Sequence, residues 1–268
     1  MNKNNSKEYN KYLRNKRIKK FLILTAQIGI LVLIIALWEI LAVTGVIDTF
    51  IMSSPSRIVK TIGELYSNGN LFYHIFTTLY EAIIGFLIAT IGGTILAIIL
   101  WWNDTLRRIL DPYIVVLNSL PKIALGPIII IWVGVGTASI VTMDILIMII
   151  ITIISMLNAF RQVSDSKIML LKSMGANKFQ ILFKLILPAS LPEFISLLKI
   201  NVGLTWVGTI MGEYLVSKAG LGYLIIYGSQ IFNLDLVMSS TIILCLLAAA
   251  MYFIVAFIEK RINKRYNI

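Results

Sequence analysis

The chain has one cysteine, one histidine and few charged side chains, and each shortage excludes something. Cys245 alone cannot form a disulfide within the chain, and its place inside an apolar run suits a packed thiol. His74 is the one histidine and no His-Glu-x-x-His pair occurs, which weighs against a metallohydrolase of that type. Asp144 is the only aspartate well inside an apolar stretch, so a membrane-embedded hydrolase would have no obvious catalytic pair either. No Gly-x-x-x-x-Gly-Lys-Ser/Thr phosphate loop occurs, and the chain has no nucleotide-hydrolysing machinery of its own. Charged residues make up 14% against 58% hydrophobic, with mean hydropathy +0.88, which removes the chain from the soluble globular class.

What is present is length and apolarity. About 20 apolar residues are needed to cross a hydrocarbon core of roughly 30 Å. Six stretches qualify, at about 21–43, 78–101, 113–133, 138–157, 190–212 and 238–258. They predict an all-α polytopic membrane protein with six transmembrane helices. A signal peptide is the rival for the first, but its apolar region is usually about 7 to 15 residues long, so the run reads as a retained anchor. The predicted organisation is a basic segment 1–20, the first span 21–43, an outer segment 44–74, a membrane body 75–259 and a basic tail 260–268. The 24 Lys and Arg orient it. Lys122 and Lys199 fall inside spans, Arg57, Lys60 and Lys218 fall on one face, and all the others share the face of the N-terminus. Such a bias predicts both termini in the cytoplasm and assigns the net charge of +11 to topology, with no nucleic-acid partner.

In the outer segment Ser54 is placed to cap a helix with Pro55 at its first position. Ile58, Ile62 and Leu65 then recur at helical spacing, which predicts a short helix on the outer membrane interface. The inner loop, about 158–189, predicts a helical hairpin. Ser164 or Asp165 can cap its first helix, Gly175 can end it in the left-handed conformation, and Asn177 can cap a second helix that Pro188 closes. Phe179, Leu182, Phe183 and Ile186 form an apolar stripe on the second helix that either packs under the protein's own spans or meets a partner. The first helix, with Ile168, Met169, Leu170 and Leu171, has less obvious cover, the mark of a partner surface.

Ionisable and polar residues inside spans want a partner or a wet cavity. Glu81, Lys122, Asp144, Lys199 and Asn201 are the candidates for a translocation path, with a Lys122–Asp144 ion pair between two helices as the alternative. Pro121 and Pro127 would interrupt the third span beside Lys122. Two lysines would suit an anionic cargo. Gly85, Ala89, Gly93 and Ala97 repeat every four residues, and Gly208 with Gly212 forms GxxxG; both stripes predict close helix packing, within the chain or between two copies.

The hairpin resembles the EAA loop of ABC importer permeases, in which Glu-Ala-Ala is followed after three residues by Gly and after nine more by Ile-x-Leu-Pro. Here the triplet positions are Met169, Leu170 and Leu171, the turn is Ser173, Met174, Gly175, Ala176 and Asn177, and the ending is Leu185, Ile186, Leu187 and Pro188. Met-Leu-Leu departs from the pattern and implies a more apolar contact. "ILDPYIVVLNSLPKIALGPIIIIWVGVG" (109–136) and "GLTWVGTIMGEYLVSKAGLGYLI" (203–225) are similar to stretches of the nitrate, sulfonate and taurine branch, and the likeness runs from about residue 38 to the C-terminus. The resemblance implies the type I ABC importer permease fold in the bacterial cytoplasmic membrane. It further implies two permease copies (a homodimer), two ABC ATPase subunits that bind ATP and Mg, and an extracytoplasmic substrate-binding protein. No cofactor is expected on this chain. The competing reading is an ion-coupled secondary transporter, which would need no ATPase and often shows an inverted repeat; none is evident.

Overall fold

The computed structural model describes residues 7–266. Residues 1–6 of the basic N-terminal segment and 267–268 of the basic tail lie outside the described residues. All regular structure in the described part is helical, as lipid demands of backbone that must satisfy its own hydrogen bonds. Among the described residues five helices are long and apolar enough to cross a membrane: α1 (Lys7–Val43), α4 (Asn70–Trp102), α7 (Thr137–Arg161), α11 (Leu191–Val216) and α13 (Leu234–Tyr266). Several outrun their apolar stretches, because a helix continues into polar sequence until something stops it.

The expected third span is not one rod. It is a pair, α5 (Asp104–Ser119) and α6 (Gly126–Val133), joined by a 3₁₀ turn at Lys122–Leu125 and bent by 87°. Leu120 is extended (φ −67°, ψ 138°), as the residue before a proline prefers, and Pro121 therefore makes the break. Pro127 does not interrupt anything. It sits in the first turn of α6, where no hydrogen bond is lost.

The centre of the bundle is α4 against α7 against α11, and small residues set the spacing. A Cβ added at Gly85 would lie 2.5 Å from Asp144 Cβ, and one at Gly93 would lie 2.6 Å from Thr152 Cγ2. On α11, a Cβ at Gly208 would come 3.1 Å from Asp144 Cα, and at Gly212 2.9 Å from Ile140 Cγ2. Ala89 and Ala97 are fully buried beside them. These stripes seat α7 within the chain, and neither is left over for a second copy.

Toward the end opposite the basic one, α2 (Thr49–Met52) packs on α13, and α3 (Pro55–Ser67) packs on α13 and α4. Ser54 caps α3 by accepting from Arg57 N–H at 3.4 Å, with Pro55 in the first turn. Ile58 is buried, and Ile62 and Leu65 pack on a cluster that includes Leu71, Leu236 and Ile243. Arg57 clamps this helix to α13 through Asp235 at 2.7 Å, and Ser53 donates to the same carboxylate at 2.7 Å. The helix is thus docked on protein rather than resting on lipid alone. By contrast, no residue in the most apolar window of α1 is buried against the chain. Cys245 is exposed on α13, not packed inside, although its neighbours Ile243 and Leu244 are buried on the other side of the helix.

Candidate functional site: a basic hairpin and a buried polar core

At the basic end, α8 (Asp165–Ser173) leads into a turn where Gly175 has φ +81°, a left-handed value that costs glycine nothing. The Ser164 side chain makes no capping hydrogen bond; its carbonyl instead accepts from Lys167 and Ile168. Asn177 opens α9 (Lys178–Ile181) with a reciprocal capping box, accepting from Gln180 N–H at 2.8 Å while Asn177 N–H donates to Gln180 Oε1 at 2.9 Å. Pro188 does not close this helix. A π turn at Leu182–Ile186 absorbs it, α10 (Leu187–Ala189) follows, and the chain runs through Ser190 into α11. The physical reason is that proline lacks an N–H and crowds the carbonyl a turn before it, which a wider turn accommodates.

The apolar stripe of this second helix divides. Leu182 and Ile186 are buried with Ile181 in a cluster that contains Leu157 and Phe160, so that side packs under the chain's own spans. Phe179 and Phe183 are exposed, stack on each other, and meet Trp102 through an edge contact of Phe179. On the first helix Leu171 and Ile168 lean on the same cluster, as does Ala176 in the turn. Met169, Leu170 and Met174 point away and are 70%, 62% and 74% exposed. Ser173 only donates to Leu170 C=O at 2.8 Å. The hairpin is therefore anchored on one side and presents apolar side chains on the other.

Deeper in the bundle, polar groups gather around α12 (Leu221–Gln230), a short helix whose N-terminus is buried. A helix start leaves backbone N–H groups without partners, and burial makes each costly. Here side chains of α4 and α11 take four in succession. Gly220 N–H donates to His74 Nδ1 at 3.0 Å and Leu221 N–H to Thr78 Oγ1 at 2.8 Å. Gly222 and Tyr223 both donate to Glu213 Oε2, at 2.5 and 3.3 Å. Gly220, at φ +108°, packs so closely on the Glu213 carboxyl that a side chain there would overlap it.

The nominated path residues occupy different places. Asp144 is fully buried where α4, α7 and α11 cross, and accepts from Thr209 Oγ1 at 2.8 Å. Glu81 accepts from Thr137 Oγ1 at 2.8 Å. Asn201 donates to both Thr90 and Thr152 at 3.0 Å, tying the same three helices one level away. Lys199 is paired with Glu259 of α13 at 2.7 Å. Lys122 donates to Asn118 C=O at 2.9 Å, so the Lys122–Asp144 ion pair is not formed. The bend at Pro121 turns Lys122 back onto its own preceding helix.

Glu213, Thr78 and His74 were not among the nominated residues. A signal existed: Glu213 stands nine residues before Gly222 in a Gly-Leu-Gly stretch, a spacing that lets a carboxylate fold back on a helix start. Among the described residues no group of His, Cys, Asp or Glu could hold a metal ion.

A bundle of apolar helices with one bent span, a buried polar centre and an anchored apolar hairpin defines a multi-pass membrane protein. The sequence from residue 85 to 268 matches the family described as "Binding-protein-dependent transport system inner membrane component". A probable ABC transporter permease protein of Haemophilus influenzae is 29% identical over 84% of this chain and 90% of its own length. The putative aliphatic sulfonates transport permease protein SsuC of Bacillus subtilis is 27% identical, over 87% and 85%. The fold is similar to that of a bacterial alginate ABC transporter solved with its alginate pentasaccharide-bound periplasmic protein, with TM-score 0.66 and 13% identity over 92% of this chain and 99% of that one. The chain belongs to the binding-protein-dependent inner membrane components: it is an ABC importer permease of the cytoplasmic membrane.

Proposed function

We propose that this permease forms the solute path of an importer whose hairpin docks on a separate ATPase subunit at the cytoplasmic face. The observation that carries this reading is the exposure of Met169, Leu170 and Met174 on a hairpin whose other side is buried. The basic end, bearing Lys167, Lys172 and Lys178, is the cytoplasmic one by charge bias, with both termini on that side. Burying each such apolar side chain in a groove of the ATPase is worth about 1.5–3 kcal/mol before association costs. With Met-Leu-Leu at the triplet, that contact is more apolar than the family's usual one.

ATP and Mg are held by two ATPase subunits, a second copy of this chain completes the path, and an extracytoplasmic binding protein delivers the solute. The hairpin is continuous with α11 through the π turn, and α11 carries Asn201, Thr209 and Glu213 into contact with α4, α7 and α12. Movement of the hairpin by the ATPase dimer is thereby passed to the polar core, and the bundle alternates between inward- and outward-facing forms.

The solute is a small organic sulfonate, by similarity to the permease named for aliphatic sulfonates. Lys199 gives no support here, because Glu259 neutralises it.

Gly175→Val tests the coupling. A β-branched residue at φ +81° is strained by about 1–2 kcal/mol, and the turn must rearrange. The variant is expected to reach the membrane but to lose most ATP-driven uptake and most co-purification of the ATPase, measured in vesicles and by affinity pull-down. Unchanged uptake would count against the hairpin as the coupling element.

A further inference from the structure

Trp101 and Trp102 close the apolar run of α4, and the polar Asn103 and Asp104 follow at once. Such a boundary marks the edge of the hydrocarbon, where tryptophan is enriched. The second hairpin helix is pinned to this corner. Phe179 meets the Trp102 ring edge-on with 5.2 Å between centres, and Phe183, one turn nearer to α11, stacks on Phe179 at 5.5 Å. Both phenylalanines are more than half exposed, although they stand at the membrane edge and not at the turn around Gly175.

Positive charge gathers at the same corner. Lys178 Nζ lies 5.8 and 5.2 Å from the ring centres of Trp101 and Trp102 and donates to Trp102 C=O. Among the described residues no carboxylate pairs with it, so its other donors are left over. At the start of α5, Arg107 and Arg108 share one carboxylate, Asp104, at 2.6 and 2.7 Å, which leaves a surplus positive charge. Arg108 reaches it through Nε, is exposed, and has both terminal nitrogens free for an acceptor.

Apolar rings beside uncommitted cations at this depth suit a lipid whose headgroup carries a phosphate and whose chains run back into the membrane. A zwitterionic headgroup would bring its own cation toward Lys178, and a soluble anion would leave Phe179 and Phe183 uncovered. The ATPase has a separate landing surface in Met169, Leu170 and Met174. We infer that this corner is a site for an anionic phospholipid of the inner leaflet, its phosphate against Lys178 and Arg108 and an acyl chain along Phe179 and Phe183. Only the choice of leaflet rests on the orientation proposed above. Lipid held there ties the first residue of α9 to the membrane edge.

The test titrates the permease, purified with its ATPase in a neutral detergent, with phosphatidylglycerol and with phosphatidylcholine, and counts retained lipid by native mass spectrometry. Phosphatidylglycerol is expected to saturate at about one per permease chain and to bind about tenfold or more tightly than phosphatidylcholine. Lys178→Gln and Arg108→Gln are each expected to lower its affinity about fivefold, the weight of one basic residue at an anionic lipid surface, with phosphatidylcholine unchanged. Lys178→Arg keeps the charge and retains the affinity, and Lys172→Gln, on α8, leaves it as in the parent. The double variant Phe179→Ser with Phe183→Ser weakens both lipids alike. Equal affinity of the parent for the two lipids, parental affinity in both glutamine variants, or an equal loss in Lys172→Gln would each overturn the proposal. So would loss of the ATPase from the serine double variant with its lipid binding intact, which would make the phenylalanines part of the ATPase contact. Retention of the ATPase by the parent is scored separately: its absence tells against the importer reading alone, because lipid binding in detergent needs neither ATP nor a sided membrane.

Discussion

Glu213→Leu is expected to destabilise the folded permease by about 2–5 kcal/mol, because a buried and a part-buried backbone N–H lose their acceptor together. Gly222 and Tyr223 both donate to one Glu213 oxygen, and the neighbouring donors are already committed to His74 and Thr78. No water-filled space is opened by leucine, which fills nearly the same volume. Glu213→Gln keeps a carbonyl oxygen in place and is expected to lose much less. Thermal unfolding of the purified detergent-solubilised chain, followed by size-exclusion profile, distinguishes the two. If leucine and glutamine melt together, close to the parent, the side chain is not what holds the start of α12.

The second large effect is steric. Valine at Gly208 would bring its Cβ to 3.1 Å from the Asp144 backbone, and at Gly85 to 2.5 Å from Asp144 Cβ, so neither neighbour can simply rotate away. Overpacking a close-packed centre costs about 1–3 kcal/mol, and more when backbone must move. Both variants are expected to give little folded protein. Gly203 supplies the control on the same helix as Gly208, since nothing lies within 4 Å of a Cβ there. Gly203→Val should be recovered at near-parental yield in the same membrane preparation. Equal yields for all three would mean that the α4–α7–α11 crossing is not close-packed at Asp144.

Much of this architecture was legible in the sequence, and particular residues show why. Gly175 and Asn177 announced a turn and a cap because their requirements are local: one needs no Cβ, the other a side-chain oxygen three residues before a free N–H. Ser54 and Pro55 opened α3 for the same kind of reason. The apolar stripe on the second hairpin helix was only half readable. Periodicity grouped Phe179 and Phe183 with Leu182 and Ile186, but the cluster beneath the helix accepts Ile181 and its neighbours and leaves the phenylalanines outside. Pro188 looked like a stop because a proline's lost hydrogen bond is visible in sequence, whereas the π turn that tolerates it is not.

By itself the sequence determined the membrane spans, their charge bias, the bend at Pro121 and the hairpin, since each follows from hydropathy, length or a single residue's backbone limits. Which polar groups meet was decided only by the tertiary structure. Lys199 found Glu259, sixty residues away; Lys122 found its own helix; Asp144 found Thr209. Glu213 became a cap for a helix beginning beyond the next turn. Partners of this kind depend on how closely α4, α7 and α11 approach and at what rotation. Those are set by glycines and alanines whose spacing shows that helices pack closely but not which helix they meet.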